Sequence, residues 1–253
     1  MLTAERRQKI LARLEHDGRV VASELVVSLG VSEDTVRRDL RELAAEGLLH
    51  RVHGGALPPA PAAASFADRL EVGRTEKIAL AEAGLRLIEG ARVIVLDGGT
   101  TTLELARRLP AGYSGTIVTN SPPIASALAS HPKAEVVLLG GRLLKSAQVA
   151  VGAETVQALQ GMHADVCMLG ICSLQPDVGV TTPDSDEAQV KRAMVACASE
   201  VIALATADKL MTASPWIVAR LAEVDHLVTD GGDELTRPYA TAGINVVAVR
   251  RAL

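Results

Sequence analysis

The apolar positions along the chain follow two rhythms, and the change between them divides the sequence. Over residues 3–47, apolar side chains recur every three or four positions, as on the buried face of an amphipathic helix. From residue 92 onward, short continuous apolar runs alternate with segments of helical spacing. The two rhythms predict a small helical head and a larger body in which strands alternate with helices.

Three helices and a hairpin are predicted in the head. Gly18 and Gly30 are placed to end the first and second helices, and Ser32 is placed to cap the third, SEDTVRRDLRELAAEG. After Gly47, LLHRVHGGAL has period-two character with a Gly-Gly corner. Two short helices joined by a tight turn and followed by a hairpin are typical of a winged helix-turn-helix domain.

Seven apolar runs in the body predict strands. They lack strong polar alternation, which is typical of strands that are covered on both faces. Since helical segments separate them, the pattern predicts an α/β domain with a mostly parallel sheet flanked by helices. The runs are residues 92–97, 116–119, 135–140, 165–170, 200–205, 226–229 and 244–249.

Residues 55–65, GALPPAPAAAS, are the linker that the composition indicates. Three prolines among alanines cannot continue a helix or a central strand. We therefore expect a winged helix-turn-helix domain at residues 1–57, a Pro/Ala linker at 58–65 and an α/β domain at 66–253.

Composition disfavours several classes of function. The chain has only four aromatic residues, whereas proteins that bind single-stranded nucleic acid stack bases on aromatic side chains. The three cysteines and six histidines show no metal-ligand spacing, so we expect no metal and no cofactor. Because no signal-like segment and no membrane-length apolar run is visible, we expect a cytoplasmic protein without a membrane partner.

The third predicted helix carries residues suited to reading DNA. Arg38 can bind a guanine through two hydrogen bonds, and Thr35 can contact a thymine methyl group or a phosphate. Other basic side chains are better placed for the DNA backbone, namely Arg37, Arg41, His50, Arg51 and His53. A small helical interaction domain with a solvated arginine face remains the alternative, since residues 1–58 carry equal numbers of basic and acidic residues.

The stretch VSEDTVRRDLRELAAEGLLHRVHGGAL resembles the signature of the DeoR family of bacterial transcription regulators. The family's Val-Ser, Thr, Arg-Arg-Asp-Leu and Arg-Val-His-Gly-Gly elements are all present. The resemblance implies that the head binds double-stranded operator DNA. For Asp39, an acid on a DNA-reading helix, we expect an arginine partner that fixes side-chain geometry. The implied DNA contacts are Ser32, Thr35, Arg37, Arg38, Arg41, Arg51 and His53.

The sequence VLDGGTTT, after the first apolar run of the body, is a strand-to-helix junction that can hold a phosphate. Its glycines permit close backbone approach, its threonines supply hydroxyls, and a helix N-terminus favours an anion. A plain turn in which a threonine caps the helix is the alternative. The chain lacks the Gly-x-Gly and Gly-Lys-Ser/Thr patterns, which disfavours the common nucleotide-binding loops.

The body, from about residue 66, resembles the effector domain of the DeoR family, which is similar in fold to ribose-5-phosphate isomerase. Arg69 and Lys77 are among the matching positions. Spacing alone makes Glu187 and Lys191 a surface ion pair one helical turn apart, whereas the resemblance places them in a pocket. The implied contacts to a phosphorylated sugar are Asp97, Gly98, Gly99, Thr100, Thr101, Thr102, Thr119, Asn120, Gly141, Glu187, Lys191 and Lys209.

One departure from the isomerase bears on catalysis. Where the isomerase carries Asp-Gly-Ala-Asp, residues 170–173 read GICS, without the carboxylate that proton transfer needs. TDGGDE at 229–234 follows a different strand, and we interpret its likeness to that motif as coincidence. We therefore expect a repressor of a carbohydrate operon, a homodimer or homotetramer, that responds to a sugar phosphate. The alternatives are an isomerase-like enzyme with an added head and an architectural DNA protein with a vestigial body.

Overall fold

The computed structural model describes residues 2–52, 54–59 and 65–249. These residues form a helical head and an α/β body, as the two sequence rhythms predict. The expected DNA contact at His53 and most of the expected linker, residues 60–64, lie outside the described residues. No helix in the described ranges is long and apolar enough to cross a membrane.

The head packs three helices against a small antiparallel sheet. Ile10, Leu25 and Val36, one from each helix, are almost completely buried in its core. Two valines pair with the wing hairpin as a third strand, which the sequence pattern did not predict. The elements are α1 (Thr3–Asp17), β1 (Val20–Val21), α2 (Ala22–Leu29), α3 (Glu33–Ala45), β2 (His50–Val52) and β3 (Gly55–Leu57).

The predicted helix signals of the head operate as expected. Gly18 and Gly30 adopt left-handed conformations, with φ of 68° and 65°, and their N–H groups bond to carbonyls of α1 and α2. The Ser32 hydroxyl accepts a hydrogen bond from the Thr35 N–H at 3.3 Å and so caps α3.

The body contains all seven predicted strands in one parallel sheet, with helices between them. The elements of this layered part are α4 (Phe66–Glu71), α5 (Arg74–Leu87), β4 (Val93–Leu96), α6 (Thr100–Arg107), β5 (Thr116–Thr119), α7 (Pro122–Leu128), β6 (Glu135–Leu138), α8 (Ala153–Gln160), β9 (Ala164–Gly170), α9 (Ser185–Ala196), β12 (Ala198–Leu204), β14 (His226–Thr229), α10 (Asp233–Thr241) and β15 (Asn245–Ala248).

The strand order of this sheet is β15-β14-β12-β9-β4-β5-β6. Both faces are covered, because neighbouring positions of one strand enter different cores: Ile94 packs with one helical layer and Val95 with the other. The chain proceeds from β4 toward β6, then returns to the other side of β4 and proceeds to β15. This reversal between β4 and β9 is a topological switch point, where open α/β sheets form a crevice at the carboxyl ends of their strands.

Two small antiparallel sheets were not predicted. They consist of β7 (Arg142–Leu144) with β8 (Val149–Val151), and of β10 (Ser173–Gln175), β11 (Gly179–Thr182) and β13 (Trp216–Ala219). The second small sheet lies beside the head, where the Arg19 guanidinium is 3.4 Å from the Asp177 carboxylate.

Candidate functional site

Helix α3 presents an exposed basic face. Arg37, Arg38 and Arg41 are exposed, while the apolar side of the helix is buried in the head. Arg37 forms an ion pair with Glu33 at 2.6 Å. Within the described chain, Arg38 and Arg41 form no ion pair, so both guanidiniums are available to an external anion. The wing residue Arg51 is likewise exposed.

Asp39 is not on the DNA-reading face. Its carboxylate is fully buried and accepts hydrogen bonds from both Nε and Nη2 of Arg6, the second at 2.9 Å. The expected arginine partner therefore exists, but it comes from α1 rather than from the Arg-Arg pair beside Asp39. This two-pronged pair fixes the orientation of α3 relative to α1.

The body has a cleft at its switch point, with a volume of about 340 Å³. Segments that follow β4, β9, β12 and β14 line one side of it, and the corner between α4 and α5 lines the other. We call this space the anion cleft and define it by residues 69–77, 98–102, 170–172, 187, 191, 204–209 and 230, with Ala147 at its edge.

The N-terminus of α6 opens into the anion cleft. Thr100, Thr101 and Thr102 form its first turn, and no side chain caps it. Among the described residues, their N–H groups have no hydrogen-bond acceptor. Three unpaired N–H groups and the positive end of the helix dipole suit a phosphate or carboxylate. The Thr102 hydroxyl is already used, since it donates to the Gly99 carbonyl at 3.0 Å.

Glycines allow β4 and β9 to end in close contact below this turn. A Cβ on Gly98 would lie 2.1 Å from Val149 Cγ1, and a Cβ on Gly170 would lie 2.8 Å from the Gly98 carbonyl oxygen. Neither position has room for a side chain. The glycines therefore serve the packing under the phosphate loop, and the loop's position depends on them.

A buried charge cluster forms the floor of the anion cleft. The Lys191 ammonium donates to the Asp97 carboxylate and, at 2.9 Å, to the Gly170 carbonyl, and it lies 3.6 Å from Glu187. Glu187 also accepts a hydrogen bond from the Thr182 hydroxyl at 2.6 Å. Burial by itself would lower the pKa of Lys191, but the Asp97 and Glu187 carboxylates raise it above its ordinary value. The two carboxylates therefore favour the charged form of Lys191.

This cluster corrects the interpretation based on spacing alone. Glu187 and Lys191 are not a surface ion pair: they are 7% and 2% exposed. Their helix α9 is packed so that both side chains enter the cleft, where they meet the end of β4. An i,i+4 spacing is the same on a buried and on an exposed face, so the sequence could not distinguish the two.

Three further cations surround the anion cleft. Arg69 has no acidic partner in the described residues, and its Nε is buried without an acceptor. Lys77 donates to the carbonyls of Arg69 and Val72, so it holds the corner between α4 and α5. Burial, followed by the positive charges of Lys209 and Arg69, lowers the pKa of Lys77. Lys209 lies 3.2 Å from Asp208.

Eight of the twelve expected effector contacts line the anion cleft, and four do not. Asp97 lies beneath it, 1% exposed, and acts on it through Lys191. Thr119 is fully buried and accepts a hydrogen bond from the Ser121 N–H. Asn120 donates to the Ala150 carbonyl, and Gly141 packs against α8. These last three support neighbouring turns and do not line the cleft.

Several cleft residues escaped the sequence analysis. Asp230, in the TDGGDE stretch interpreted as coincidence, lines the cleft and accepts a hydrogen bond from the Ala207 N–H at 2.7 Å. Because Asp230 directly follows an apolar run, the sequence could have indicated that it lies at the carboxyl end of a strand, where the cleft forms. Cys172 also lines the cleft, and burial followed by the Glu187 charge raises the pKa of its thiol. Within the described ranges, no group of three or more His, Cys, Asp or Glu side chains is arranged to hold a metal ion.

Comparison with known proteins gives two family matches. Residues 6–60 match the DeoR-like helix-turn-helix domain, and residues 73–231 match the DeoR C terminal sensor domain. The first range covers the described head from Arg6 onward, and the second covers the residues that line the anion cleft except Arg69 and Val72.

Individual relatives agree with these matches. The chain is 38% identical to the HTH-type transcriptional regulator GlpR of Haloferax volcanii, over 98% of both chains. It is 33% identical to the HTH-type transcriptional repressor GlcR of Bacillus subtilis, over 91% of this chain and 89% of the relative. A solved ribose 5-phosphate isomerase from Methanocaldococcus jannaschii aligns over 55% of each chain with 14% identity and a TM-score of 0.40.

Proposed function

The chain belongs to the DeoR family of transcriptional regulators, and we propose that it represses a carbohydrate-metabolism operon until a phosphorylated sugar or sugar alcohol enters the anion cleft. The family membership makes it a DNA-binding transcriptional regulator. The proposal adds the direction of control, the class of effector and the residues that contact each ligand.

The observation that carries the proposal is the unpaired first turn of α6 inside a cleft rich in cations. The N–H groups of residues 100–102 supply donors for a phosphate, and Arg69 is a cation without an acidic partner in the described chain. Farther inside, Glu187 offers carboxylate oxygens that can accept hydrogen bonds from sugar hydroxyls. The volume of about 340 Å³ is within the range of small-molecule sites.

On the head, Arg38 and Arg41 supply the free cations of the exposed α3 face. We assign base contacts to Arg38 and Thr35, and backbone contacts to Arg37, Arg41 and Arg51. Ser32 and Thr35 also cap the helix together, so mutation of either affects folding as well as DNA contact. A homodimer or homotetramer would place two such heads on repeated half-sites.

Fluorescence anisotropy with DNA from upstream of the protein's own gene tests this function. The compounds are glycerol 3-phosphate, ribose 5-phosphate, glucose 6-phosphate and fructose 1-phosphate, each matched by its unphosphorylated form. We expect one phosphorylated compound to weaken operator binding, while its unphosphorylated counterpart has no effect. If every phosphorylated compound leaves operator affinity unchanged, the sensing function is wrong.

We assign no turnover to the anion cleft. Residues 170–173 lack the isomerase carboxylates, and Glu187 accepts a hydrogen bond from Thr182 and lies 3.6 Å from the Lys191 ammonium. The expected result is that ribose 5-phosphate incubated with the protein remains ribose 5-phosphate, as followed by NMR. Accumulation of ribulose 5-phosphate that disappears in Glu187→Gln would favour the enzyme instead.

A further inference from the structure

Two segments of the body reach from the anion cleft to the two ends of the linker. The first is the turn between β7 and β8, residues 145–148, which we call the turn clamp. The second is the loop of residues 207–214 after β12, which we call the loop clamp. Each segment lines the cleft with one part and contacts a linker end with another.

The turn clamp holds the chain just after the linker. Ala147 lines the anion cleft, and the adjacent Ser146 carbonyl accepts a hydrogen bond from the Phe66 N–H at 3.1 Å. Arg69, itself a cleft residue, also donates to the Ser146 carbonyl at 3.4 Å. A ligand that draws Arg69 or Ala147 inward therefore acts directly on the point where α4 begins.

The loop clamp holds the first residues of the linker. Ala207, Asp208 and Lys209 line the anion cleft. Four residues after Lys209, the Ala213 N–H donates to the Pro58 carbonyl at 3.4 Å, and Ala213 pairs with Pro59 in a parallel bridge. The same segment continues to Ser214 and Pro215, which face the wing residues 50–52 across the gap between head and body.

The loop clamp is too firmly held to absorb a displacement at the cleft. Tyr239 donates its hydroxyl hydrogen to the Leu174 carbonyl at 2.8 Å and accepts from the Met211 N–H at 2.9 Å. The Thr212 hydroxyl donates to the Lys209 carbonyl, and the Ser214 N–H donates to the buried Thr181 hydroxyl. The Thr212 bond joins the part of the loop that lines the cleft, before Met211, to the part that contacts the linker, after it.

Each clamp contains a residue in an unfavourable backbone conformation. In the described chain, the two non-glycine residues with positive φ are Gln148, at 57°, and Met211, at 59°. Residues other than glycine rarely adopt this left-handed conformation, because their Cβ atom makes it strained. Such strain persists only where the surrounding structure enforces it. Both strained positions therefore lie in the two segments that join cleft to linker.

From this coincidence we propose that the turn clamp and the loop clamp transmit occupation of the anion cleft to the head, with Gln148 and Met211 as their hinges. The inference rests on the proposed function and adds the route of its regulation. A ligand that engages Lys209 and Arg69 shifts both clamps, the contacts at Pro58 and Phe66 change, and the head changes position relative to the body. The strained hinges keep the two clamp arrangements close in free energy.

The test compares glycine with alanine at each hinge. Met211→Gly and Gln148→Gly remove the side chain and the strain, whereas Met211→Ala and Gln148→Ala remove the side chain and keep the strain. The measured quantity is the ratio of operator Kd with and without the phosphorylated compound that acts on the wild type most strongly. Inorganic phosphate is the probe if none acts.

We expect a wild-type ratio of about fivefold to 150-fold, the usual range of allosteric coupling. The glycine variants should lower this ratio by about fivefold or more, while the alanine variants keep it within about twofold of wild type. Equal ratios in wild type and glycine variants would overturn the clamps as the route. Equal losses with glycine and alanine would also overturn it, because side-chain packing would then be responsible.

Hydrogen exchange separates failure of this inference from failure of the proposed function. A wild type that responds to no compound refutes the sensing function, and the clamps are then judged in the ligand-free chain. There, Gln148→Gly should accelerate exchange of the Phe66 amide, and Met211→Gly should accelerate that of the Ala213 amide. Unchanged exchange at both amides would show that the hinges do not control the linker contacts.

Discussion

Replacement of Asp39 by alanine should destabilise the head and leave the body intact. In the structure, Asp39 is fully buried and its carboxylate accepts two hydrogen bonds from Arg6, which is 5% exposed. The variant leaves the guanidinium of Arg6 buried between α1 and α3 without a counter-charge. Loss of one partner of a buried pair costs about 3 to 5 kcal/mol. The head is small and bulk water is close by, so we take about 3 kcal/mol.

That cost is large compared with the stability of so small a domain. A domain of the size expected for the head has a free energy of unfolding of roughly 3 to 9 kcal/mol, at about 0.05 to 0.15 kcal/mol per residue. For a domain of this size, each kcal/mol corresponds to about 4 to 8 °C in Tm. The Tm of the head should therefore fall by about 12 to 24 °C, and operator binding should be lost near the new Tm.

Two optical signals separate head from body in this chain. Its single tryptophan, Trp216, is on β13 of the body, so tryptophan fluorescence follows the body alone. Far-UV circular dichroism follows the helices of both parts. Asp39→Ala should add an early dichroism transition while the fluorescence transition stays in place.

Two controls make the result specific to burial. Glu46→Ala breaks the exposed ion pair with Arg7 and should barely move the head transition, since exposed pairs contribute little. The double variant Arg6→Met/Asp39→Leu should recover the stability lost in Asp39→Ala, because both charges are removed together. If Asp39→Ala and Glu46→Ala shift the head equally, the buried pair does not hold α3 and the reasoning is refuted.

Four further predictions concern the two ligand sites and pH. Arg38→Ala should weaken operator binding by about 1 to 3 kcal/mol at one base position, as measured by fluorescence anisotropy. The control Arg86→Ala, at an exposed arginine of the body, should keep the operator affinity of the wild type. An equal loss of affinity in both variants would refute the base contact. Thr100→Val/Thr101→Val removes two hydroxyls at the anion cleft but keeps the backbone N–H groups, so it should weaken the effector response and preserve effector-free operator affinity. An unchanged response would show that these hydroxyls do not contact the effector. Lys191→Met should leave Asp97 buried without its cation and so lower the free energy of unfolding of the body by about 3 to 5 kcal/mol. Urea unfolding followed by Trp216 fluorescence measures this loss, and an unchanged urea midpoint would contradict the prediction. Burial lowers the pKa of His50 below 6.5, so the His50 imidazole binds a proton more weakly in the folded head than in the unfolded chain. The contribution of His50 to head stability should therefore be complete above pH 6.5 and be lost as the pH falls through the lowered pKa. This loss should be absent in His50→Gln and retained in His16→Gln, a change at an exposed histidine.

Much of the fold was predictable because its signals are local. Each apolar run of the body is long enough to show that it is covered on both faces, and all seven runs became strands of one parallel sheet. Gly18, Gly30 and Ser32 end or begin helices through bonds to residues three or four positions away. Such contacts need no knowledge of the rest of the chain.

Short strands and long-range pairs were beyond the sequence patterns. The strands β7, β8, β10, β11 and β13 form two small antiparallel sheets, which the sequence analysis did not predict. The partner of Asp39 is 33 residues away on α1, and that of Lys191 is 94 residues away at the end of β4. No spacing rule connects residues so far apart, since the approach depends on how whole elements pack.

For the candidate site, the sequence by itself determined that a glycine- and threonine-rich turn joins a buried strand to a helix, and it left open whether a threonine caps that helix or the N–H groups of its first turn stay unpaired. The tertiary structure alone decided what faces them. The strand order brings the ends of β9, β12 and β14 beside that turn, so Gly170, Asp230 and Lys209 meet there. The packing of α9 also places the side chains of Glu187 and Lys191 in the cleft. The physical reason is that backbone conformation is set within a few residues, whereas burial and charge environment are set by neighbours that only the packed sheet brings together.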